Sequence, residues 1–404
     1  MNELINDASQ PRATRMQALW QTVAALKVQC EERSQREYET HHFVHENLAA
    51  ISDAGLTILN LPARLGGLEA SLYENMQVIR HLARGCASTA FTLAIHYTFT
   101  GGMRDIAGGD DAKREQLYRT ATRKMFLCGP FTDSHSGGNP LHPSTTARRT
   151  ANGFVLNGVK QFFTGFDACT HMVITAALSD EDLEPPFNTL AFLIEKPASL
   201  DAEVVAEWSG IALPLTGSHS VRIHDLHVKE SDLIAPVGVA PVLSVPLQSW
   251  GHYLFSAVAL GLAERAFELA VERSKGRTNT ALSSALTALP GVQFAVAKMQ
   301  GKLQAMEALL EEYTTTHAEP GMDPLGFAAE TAIPKYVVTN EAAEVVKLAF
   351  EVIGGSGLVG STRIGQIFRD VRALSLLPLN NDLCREMIGK SLLGMDVLAK
   401  PRWL

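Results

Sequence analysis

The chain has 404 residues, 46% of them hydrophobic, which is enough apolar surface for two to four folded domains at about 100–200 residues each. This composition excludes an intrinsically disordered chain. The 35 Lys and Arg residues are outnumbered by 43 Asp and Glu residues, so the formal net charge of -8 argues against a nucleic-acid-binding protein.

Charged residues make up only 19% of the chain, which predicts that part of the surface is buried against other subunits, in a homodimer or homotetramer. The five cysteines are scattered without CxxC spacing, so we expect reduced packing residues in a cytoplasmic protein. No apolar run approaches the roughly 20 residues that cross a bilayer, so no membrane association is expected. We expect His41, His42 and His45 to lie on a solvated helix face rather than to form a metal site.

Residues 1–123 are predicted to form a helical domain, because apolar residues recur at helical spacing over 17–30 and 39–51 and residues 71–100 are rich in helix formers. Strand-like runs at 153–159, 171–177, 189–194 and 218–224 alternate with turn residues and predict a β domain over 124–238. Helical periodicity returns at 253–273, 292–316 and 339–353. A last helix is expected near Asn381, with Asp382 as its N-cap, so residues 239–404 are predicted to be helical.

Several short strings carry glycine and polar residues in a fixed order along these domains. They are 61–68 (LPARLGGL), 131–139 (FTDSHSGGN), 157–164 (NGVKQFFT), 215–221 (LTGSHSV), 351–357 (EVIGGSG) and 368–370 (FRD). Together with the helix, sheet, helix order, they resemble the acyl-CoA dehydrogenase superfamily of flavoproteins over nearly the whole chain. The resemblance implies an α+β multidomain fold with an N-terminal all-α domain, a central β-barrel-like domain and a C-terminal four-helix bundle.

The resemblance also implies that the chain binds FAD, or FMN in its place. The glycine-rich turn of the 131–139 string offers N–H and hydroxyl donors to the flavin edge. Phe162 packs on the isoalloxazine, and Thr164 hydrogen-bonds the N5 atom of the flavin. The glycine turn of the 351–357 string meets the diphosphate of the flavin dinucleotide across a subunit interface. The alternatives are a core position for Phe162 or Phe163, whose side chains face opposite sides of a strand, a strand-end hydroxyl for Thr164, and a simple helix-end turn for the 351–357 string. The residues expected at the cofactor are Phe131, Thr132, Gly137, Gly138, Phe162, Thr164, Glu351, Gly354, Gly355 and Asn380.

The chain departs from this family where the family holds its catalytic base. α,β-Dehydrogenation of an acyl thioester needs a carboxylate to take the α-proton while the flavin takes the β-hydride. The family carries that carboxylate nine residues after the Arg of its Arg-Asp pair, which is Pro378 here, or ten before the Gly of a Gly-Leu pair, which is Gly251 here.

Three functions therefore stay open. The first hypothesis, because it is the commonest activity of the superfamily, is hydride transfer to FAD from the CH-CH group of an acyl-CoA or similar acyl substrate, with an electron-transfer flavoprotein as partner. The second is a two-component monooxygenase that uses oxygen, an apolar substrate and reduced flavin from a flavin reductase. The third is a catalytically silent binding homologue.

Two histidines are the candidate catalytic residues, because histidine suits proton transfer in a water-excluding pocket at neutral pH. His96 lies in an apolar helix that lines the pocket in this family, and it resembles an active-site histidine of several monooxygenases. The alternative for His96 is a core histidine bonded to a backbone carbonyl. His252 stands where common members of the family carry a substrate-binding arginine, with Trp250 and Tyr253 beside it.

Overall fold

The computed structural model describes residues 5–7, 9–107, 118, 121–122, 124–134, 141–179, 183–234, 236–279, 283–315 and 324–398. Its first part contains helices α1 (Arg12–Glu37), α2 (His45–Asp53), α3 (Leu72–Gly85) and α4 (Ala87–Ala107). A capping box starts α3, since Ser71 Oγ accepts from the Glu74 N–H and the Glu74 carboxylate accepts from the Ser71 N–H. The stretch predicted over 71–100 is two helices because the backbone at Cys86 is extended.

A curled, mixed sheet forms the central part. Its strands are β1 (Leu127–Cys128), β2 (Thr132–Asp133), β3 (Thr146–Thr150), β4 (Gly153–Phe163), β5 (His171–Leu178), β6 (Thr189–Glu195), β7 (Val204–Ala206) and β8 (His219–Lys229). The order is β1-β5-β3-β4-β8-β7, with β6 paired to β5 and β2 paired to β4. Strand β5 runs parallel to β1 and β3, whereas the other pairs are antiparallel.

The last part is again helical, which confirms the predicted fold class. Its helices are α5 (Ala240–Lys275), α6 (Pro290–Thr315), α7 (Pro324–Ile353), α8 (Arg363–Leu374) and α9 (Asn381–Leu392), and a short hairpin of β9 (Thr278–Asn279) and β10 (Ser284–Ala285) links α5 to α6. Asn380, and not Asp382, is the N-cap of α9, because its Oδ1 accepts from the N–H groups of Asp382 and Leu383. Within the described ranges, no helix combines the length and apolarity needed to cross a bilayer.

One continuous apolar core joins the three parts. Helices α4 and α5 approach closely at Gly101, where a Cβ would lie 2.5 Å from the ring of Trp250. A second junction is polar. The buried carboxylate oxygen Oδ1 of Asp370 in α8 accepts from the Tyr38 hydroxyl at 2.8 Å and from the Leu213 N–H at 2.7 Å, so it links the last part to the first part and to the sheet domain.

Candidate active site

A cavity of about 610 Å³ lies where the three parts meet. Its volume falls in the range of small-molecule sites in proteins. Two helices each give one face to its wall, because their lining residues recur at three- and four-residue intervals. Helix α4 contributes Phe91, Ile95, Thr98 and Phe99, and helix α5 contributes Ser244, Leu247, Gln248, Gly251, His252 and Phe255.

The sheet side of the cavity carries an exposed aromatic ring at the end of β4. The register between β4 and β8 shifts between Lys160 and Phe163, and Phe162 within that shift has a φ of 53°. The irregularity turns Phe162 out of the sheet. Its ring is 51% exposed, lines the cavity and makes an edge contact with Trp208 at 5.9 Å between centroids. An exposed Phe in a strand whose other residues are buried or half-buried provides a stacking surface for a ligand.

Hydroxyl groups follow directly after this ring. Thr164 lines the cavity, and its Oγ1 lies 3.0 Å from the Oγ of Ser218, which lies 2.7 Å from the Oγ1 of Thr216. The Thr216 hydroxyl donates to the Leu213 carbonyl at 2.9 Å. The three hydroxyls thus form a chain that runs from the cavity wall into the protein, with Thr164 at its cavity end.

Beneath this wall lies a buried ion pair that the sequence analysis did not assign. Lys160 Nζ donates to Asp133 Oδ2 at 3.1 Å, and Asp133 also accepts from the Thr145 hydroxyl and the Ser144 N–H. Burial lowers the pKa of Lys160 to about 8, although the Asp133 carboxylate opposes the shift. The pair joins β2 to β4, which positions Thr132 and Phe162. Lys160 and Asp133 stand inside the quoted strings 157–164 and 131–139. Their opposite charges were the signal from which the ion pair could have been predicted.

His252 forms part of the α5 wall and is 1% exposed. Its Nδ1 lies 3.2 Å from the Oγ1 of Thr331 in α7. Its Nε2 has no hydrogen-bond partner among the residues that the structure describes. Burial, with a smaller contribution from the positive charge of Lys335, lowers the pKa of His252 to about 3, so the ring is neutral at physiological pH.

The loop between α8 and α9 closes the cavity with Leu376, Leu377, Pro378, Leu379 and Asn380. The buried ammonium of Lys335 holds this loop, since Nζ donates to the Leu377 carbonyl at 3.3 Å and to Asn381 Oδ1 at 3.0 Å. Burial lowers the pKa of Lys335 to about 8. Asn380, in the same loop, both caps α9 and lines the cavity.

His96 lies behind the cavity wall and is fully buried. Its Nε2 bonds the Thr57 carbonyl at 2.6 Å, and its Nδ1 accepts from the Leu127 N–H at 2.9 Å. Burial lowers the pKa of His96 to about 4, so the ring is neutral and donates from Nε2. Both nitrogens are used by the backbone, which favours the structural alternative for this residue.

The structure brings six of the predicted site residues to one cavity. Phe131, Thr132, Phe162, Thr164, His252 and Asn380 line it. Glu351 is exposed in the last turn of α7, and on the turn that follows Gly354 is partly exposed and Gly355 exposed; all three are outside the cavity lining. Gly137 and Gly138 lie outside the described residues.

The two positions at which the family holds its base, Pro378 and Gly251, both lie in the cavity wall. Neither residue can act as a base, because proline has no basic side-chain group and glycine has no side chain. Asp133 is the one carboxylate among the described residues that line the cavity, and it is committed to Lys160, Thr145 and Ser144.

This fold and cavity have clear relatives, and the chain belongs to the acyl-CoA dehydrogenase superfamily. The family's "Acyl-CoA dehydrogenase, N-terminal domain" model matches residues 15–124, and its "Acyl-CoA dehydrogenase, C-terminal domain" model matches residues 250–393. The putative acyl-CoA dehydrogenase YdbM of Bacillus subtilis is 26% identical over 83% of this chain and 86% of its own length.

Two solved structures share the fold at 19% identity. Butyryl-CoA dehydrogenase of Megasphaera elsdenii aligns with a TM-score of 0.82 over 92% of this chain and 97% of that one. TdsC of Paenibacillus sp. A11-2, solved with FMN and indole, aligns with a TM-score of 0.80 over 94% of this chain and 97% of that one.

Proposed function

We propose that this protein is a flavin-dependent monooxygenase that acts on an apolar substrate with reduced flavin from a separate flavin reductase. The observation that carries the proposal is the replacement of the family's base by Pro378 and Gly251 in the wall of the cavity. Oxygenation needs no carboxylate to remove an α-proton, whereas acyl-CoA dehydrogenation does.

The residues of the cavity fit a flavin. The half-exposed Phe162 ring offers a stacking surface, and the hydroxyls of Thr132 and Thr164 lie on the same wall. FMN fits this proposal as well as FAD, and TdsC is a relative solved with FMN. When bound and reduced, the flavin supplies two electrons, so that one atom of O₂ enters the substrate and the other leaves as water.

The apolar part of the wall defines the substrate class. Phe91, Ile95, Phe255, Leu377 and Leu379 surround the space between α4, α5 and the loop after α8. Such a wall excludes water from the reacting groups and favours an apolar body. An oligomer is also part of the proposal, because Gly354 and Gly355 sit on an exposed turn where they are available to a cofactor in another subunit.

Acyl-CoA dehydrogenation with an electron-transfer flavoprotein is the second candidate. The names of the relatives favour it, since YdbM is described as a putative acyl-CoA dehydrogenase and the Megasphaera elsdenii structure is a butyryl-CoA dehydrogenase. In this reading the α-proton would have to leave without a side-chain carboxylate at either family position.

Flavin uptake and turnover separate these candidates. Purified protein is incubated with FAD or FMN, and retained absorbance measures uptake; no uptake of either flavin would contradict both enzyme candidates. The loaded protein is mixed without oxygen with butyryl-, octanoyl- and 3-phenylpropionyl-CoA. Bleaching of the flavin supports dehydrogenation. Incorporation of ¹⁸O from ¹⁸O₂ into indole or 2-naphthol, with chemically reduced flavin, supports the monooxygenase.

Restoring the base tests whether its loss explains the change in chemistry. Gly251→Glu puts a carboxylate at a family base position, and a Cβ there meets only ordinary contacts, the nearest being Thr98 Cγ2 at 3.7 Å. We expect acyl-CoA esters to bleach the flavin of Gly251→Glu, but not that of wild type or of the Gly251→Gln control. Equal behaviour of the two variants would contradict this explanation.

A further inference from the structure

The exposed ring of Phe162 packs against a second aromatic ring. Trp208, in the segment between β7 and β8, lines the same cavity and is partly exposed. The two ring centroids lie 5.9 Å apart and the ring planes are at 89° to each other, which is the edge-to-face geometry that aromatic pairs favour. Because Phe162 is 51% exposed, its contact with Trp208 has a large share in fixing the orientation of its ring.

Trp208 is itself held from three directions. Its backbone N–H donates to His219 Nδ1 at 2.9 Å, and its indole N–H donates to the Leu213 carbonyl at 2.9 Å. A Cβ at Gly210 would lie 2.0 Å from Cζ2 of the indole, so the glycine backbone packs directly against the ring. Because both N–H groups of Trp208 are bonded, it offers its other neighbours the carbon surface of its ring.

The two acceptors of Trp208 are anchored in turn. His219 accepts on Nδ1, so its proton lies on Nε2, which donates to Asp167 Oδ2 at 3.1 Å. The Leu213 N–H donates to the buried carboxylate of Asp370 at 2.7 Å. These bonds tie the segment of Trp208 to β8, to the turn after β4 and to α8, so the indole has a fixed position.

Backbone strain lies at both ends of this arrangement. Phe162 has a φ of 53° and Leu213 a φ of 49°, in the left-handed region that residues with a side chain disfavour. Such strained residues persist where surrounding contacts determine them, and they are concentrated at ligand sites. The first turns an aromatic ring out of the sheet, and the second directs its carbonyl to the indole of Trp208. Both therefore act on the same pair of rings.

We propose that Trp208 is a positioning residue for flavin binding, which fixes the Phe162 ring in the orientation in which it stacks on the isoalloxazine. A ring that is ordered before the ligand arrives loses less side-chain freedom on binding, and this strengthens binding without a new contact. The inference rests on the proposed function in placing a flavin against Phe162, and it does not depend on which reaction follows.

Flavin affinity in Trp208 variants tests the proposal. The affinity for FMN and for FAD is measured from the change in flavin fluorescence during titration. We expect Trp208→Leu, which keeps apolar bulk but has no ring, to bind about three- to ten-fold more weakly, as the loss of one aromatic pair predicts. Trp208→Phe restores a ring and should bind within about two-fold of wild type. The control Trp20→Leu removes another partly exposed tryptophan, whose ring lies against His81 outside the cavity lining, and should leave flavin binding unchanged.

A double-mutant cycle shows whether Trp208 acts through Phe162. In a Phe162→Leu background, Trp208→Leu should no longer weaken flavin binding, because no ring is left to orient. Urea unfolding checks that each variant is folded. Equal affinities of Trp208→Leu and Trp208→Phe, the same loss in Trp20→Leu, or an equal loss with and without the Phe162 ring would overturn the inference alone. No flavin uptake by wild type would overturn it together with the proposed function.

Discussion

Two buried histidines differ in what their ring nitrogens offer. His96 uses both nitrogens on backbone groups of Thr57 and Leu127. His252 uses one nitrogen on Thr331, and its other nitrogen is buried without a partner among the described residues. From the sequence both are histidines in apolar helical segments, and only the three-dimensional partners of each ring distinguish the two residues.

Both histidines make the folded protein sensitive to acid. Their pKa values of about 4 and about 3 lie below the value of about 6.5 in an unfolded chain, so the unfolded state binds protons that the folded state does not. This stability is fully present above pH 6.5 and is lost as the pH falls towards 4, by about 1.4 kcal/mol per pH unit for each histidine.

Urea unfolding at pH 7, 6 and 5 measures this slope. In His252→Gln we expect the slope below pH 6 to decrease by about 1.4 kcal/mol per pH unit. The control for the substitution itself is His224→Gln, which replaces a histidine whose side chain is 69% exposed. An unaltered slope in His252→Gln would contradict a strongly lowered pKa.

Thr164 is the residue for which the proposed flavin contact is easiest to isolate. Thr164→Val keeps the shape of the side chain and removes the cavity end of the hydroxyl chain, so we expect weaker flavin binding, by about ten-fold, and a shifted flavin absorbance spectrum. Thr98→Val is the control, because the Thr98 hydroxyl also lines the cavity but is bonded to the Ala94 carbonyl of its own helix. Identical flavin spectra and affinities in both variants would remove the Thr164 assignment.

The cavity residues that were predicted from the sequence stand in motifs. The residues that were missed have roles that depend on partners far away in the chain. Phe162 and Thr164 follow an Asn-Gly pair at the family's offset, so their position was predictable. The pairing of Lys160 with Asp133 depends on the register of β2 against β4. The role of Lys335 depends on a loop 42 residues later in the chain. Such pairings are set by tertiary packing, and the two opposite charges inside the quoted strings were the one signal the sequence offered for the first of them.

At the scale of elements, helix content was predictable but helix starts were not. Helix α5 passes through Pro246 and α7 passes through Pro334, whereas the sequence analysis began both helices after these prolines. A proline removes one N–H and disfavours a helix interior, so the local rule argues for a break. Burial of both helices in the common core outweighs that preference. This matters for the site, because Ser244, Leu247 and Gln248 lie in the part of α5 that was missed.

The close approach of α4 and α5 at Gly101 holds two walls of the cavity together. An added Cβ would lie 2.5 Å from Trp250 ring atoms. We expect Gly101→Ala to lower the free energy of unfolding by about 1–3 kcal/mol, as overpacking does. In Gly301→Ala, where no atom lies within 4 Å of the new Cβ, the higher helix propensity should raise it by about 0.5–1 kcal/mol. Chemical unfolding measures both, and a neutral Gly101→Ala would contradict the packing argument.

At the scale of the whole molecule, the helix, sheet, helix order was readable from changes in hydrophobic periodicity, and the resemblance placed the cavity between the parts. The exact boundaries at 123 and 238 stay a prediction. The contacts that fix one part against another are different in kind, because they join residues far apart in the chain. Asp370 is the clearest example, since its partners are Tyr38 and Leu213.

A pair of variants separates the hydrogen bonds of Asp370 from its charge. Both partners bond Oδ1, which asparagine also has, and burial raises the pKa of Asp370, so the charge itself is unfavourable there. We expect Asp370→Asn to change the free energy of unfolding little. Asp370→Ala leaves the Leu213 N–H without its acceptor and leaves the Tyr38 hydroxyl only the longer contact to the Gln366 carbonyl at 3.4 Å, so it should cost about 2–5 kcal/mol. Equal losses in thermal or urea unfolding would mean that the negative charge, and not the hydrogen bonds, holds the junction.

The cavity wall begins at Phe91 and is completed only at Asn380. A polypeptide is synthesised from its N-terminus at about 5–20 residues per second, and early segments fold first. The first helices and the sheet can therefore be in place while the loop of residues 376–380 is still inside the ribosome. Ligand capture becomes a late event of biosynthesis, and nascent chains stalled before residue 376 should expose the apolar faces of α4 and α5 to chaperones instead of to a ligand.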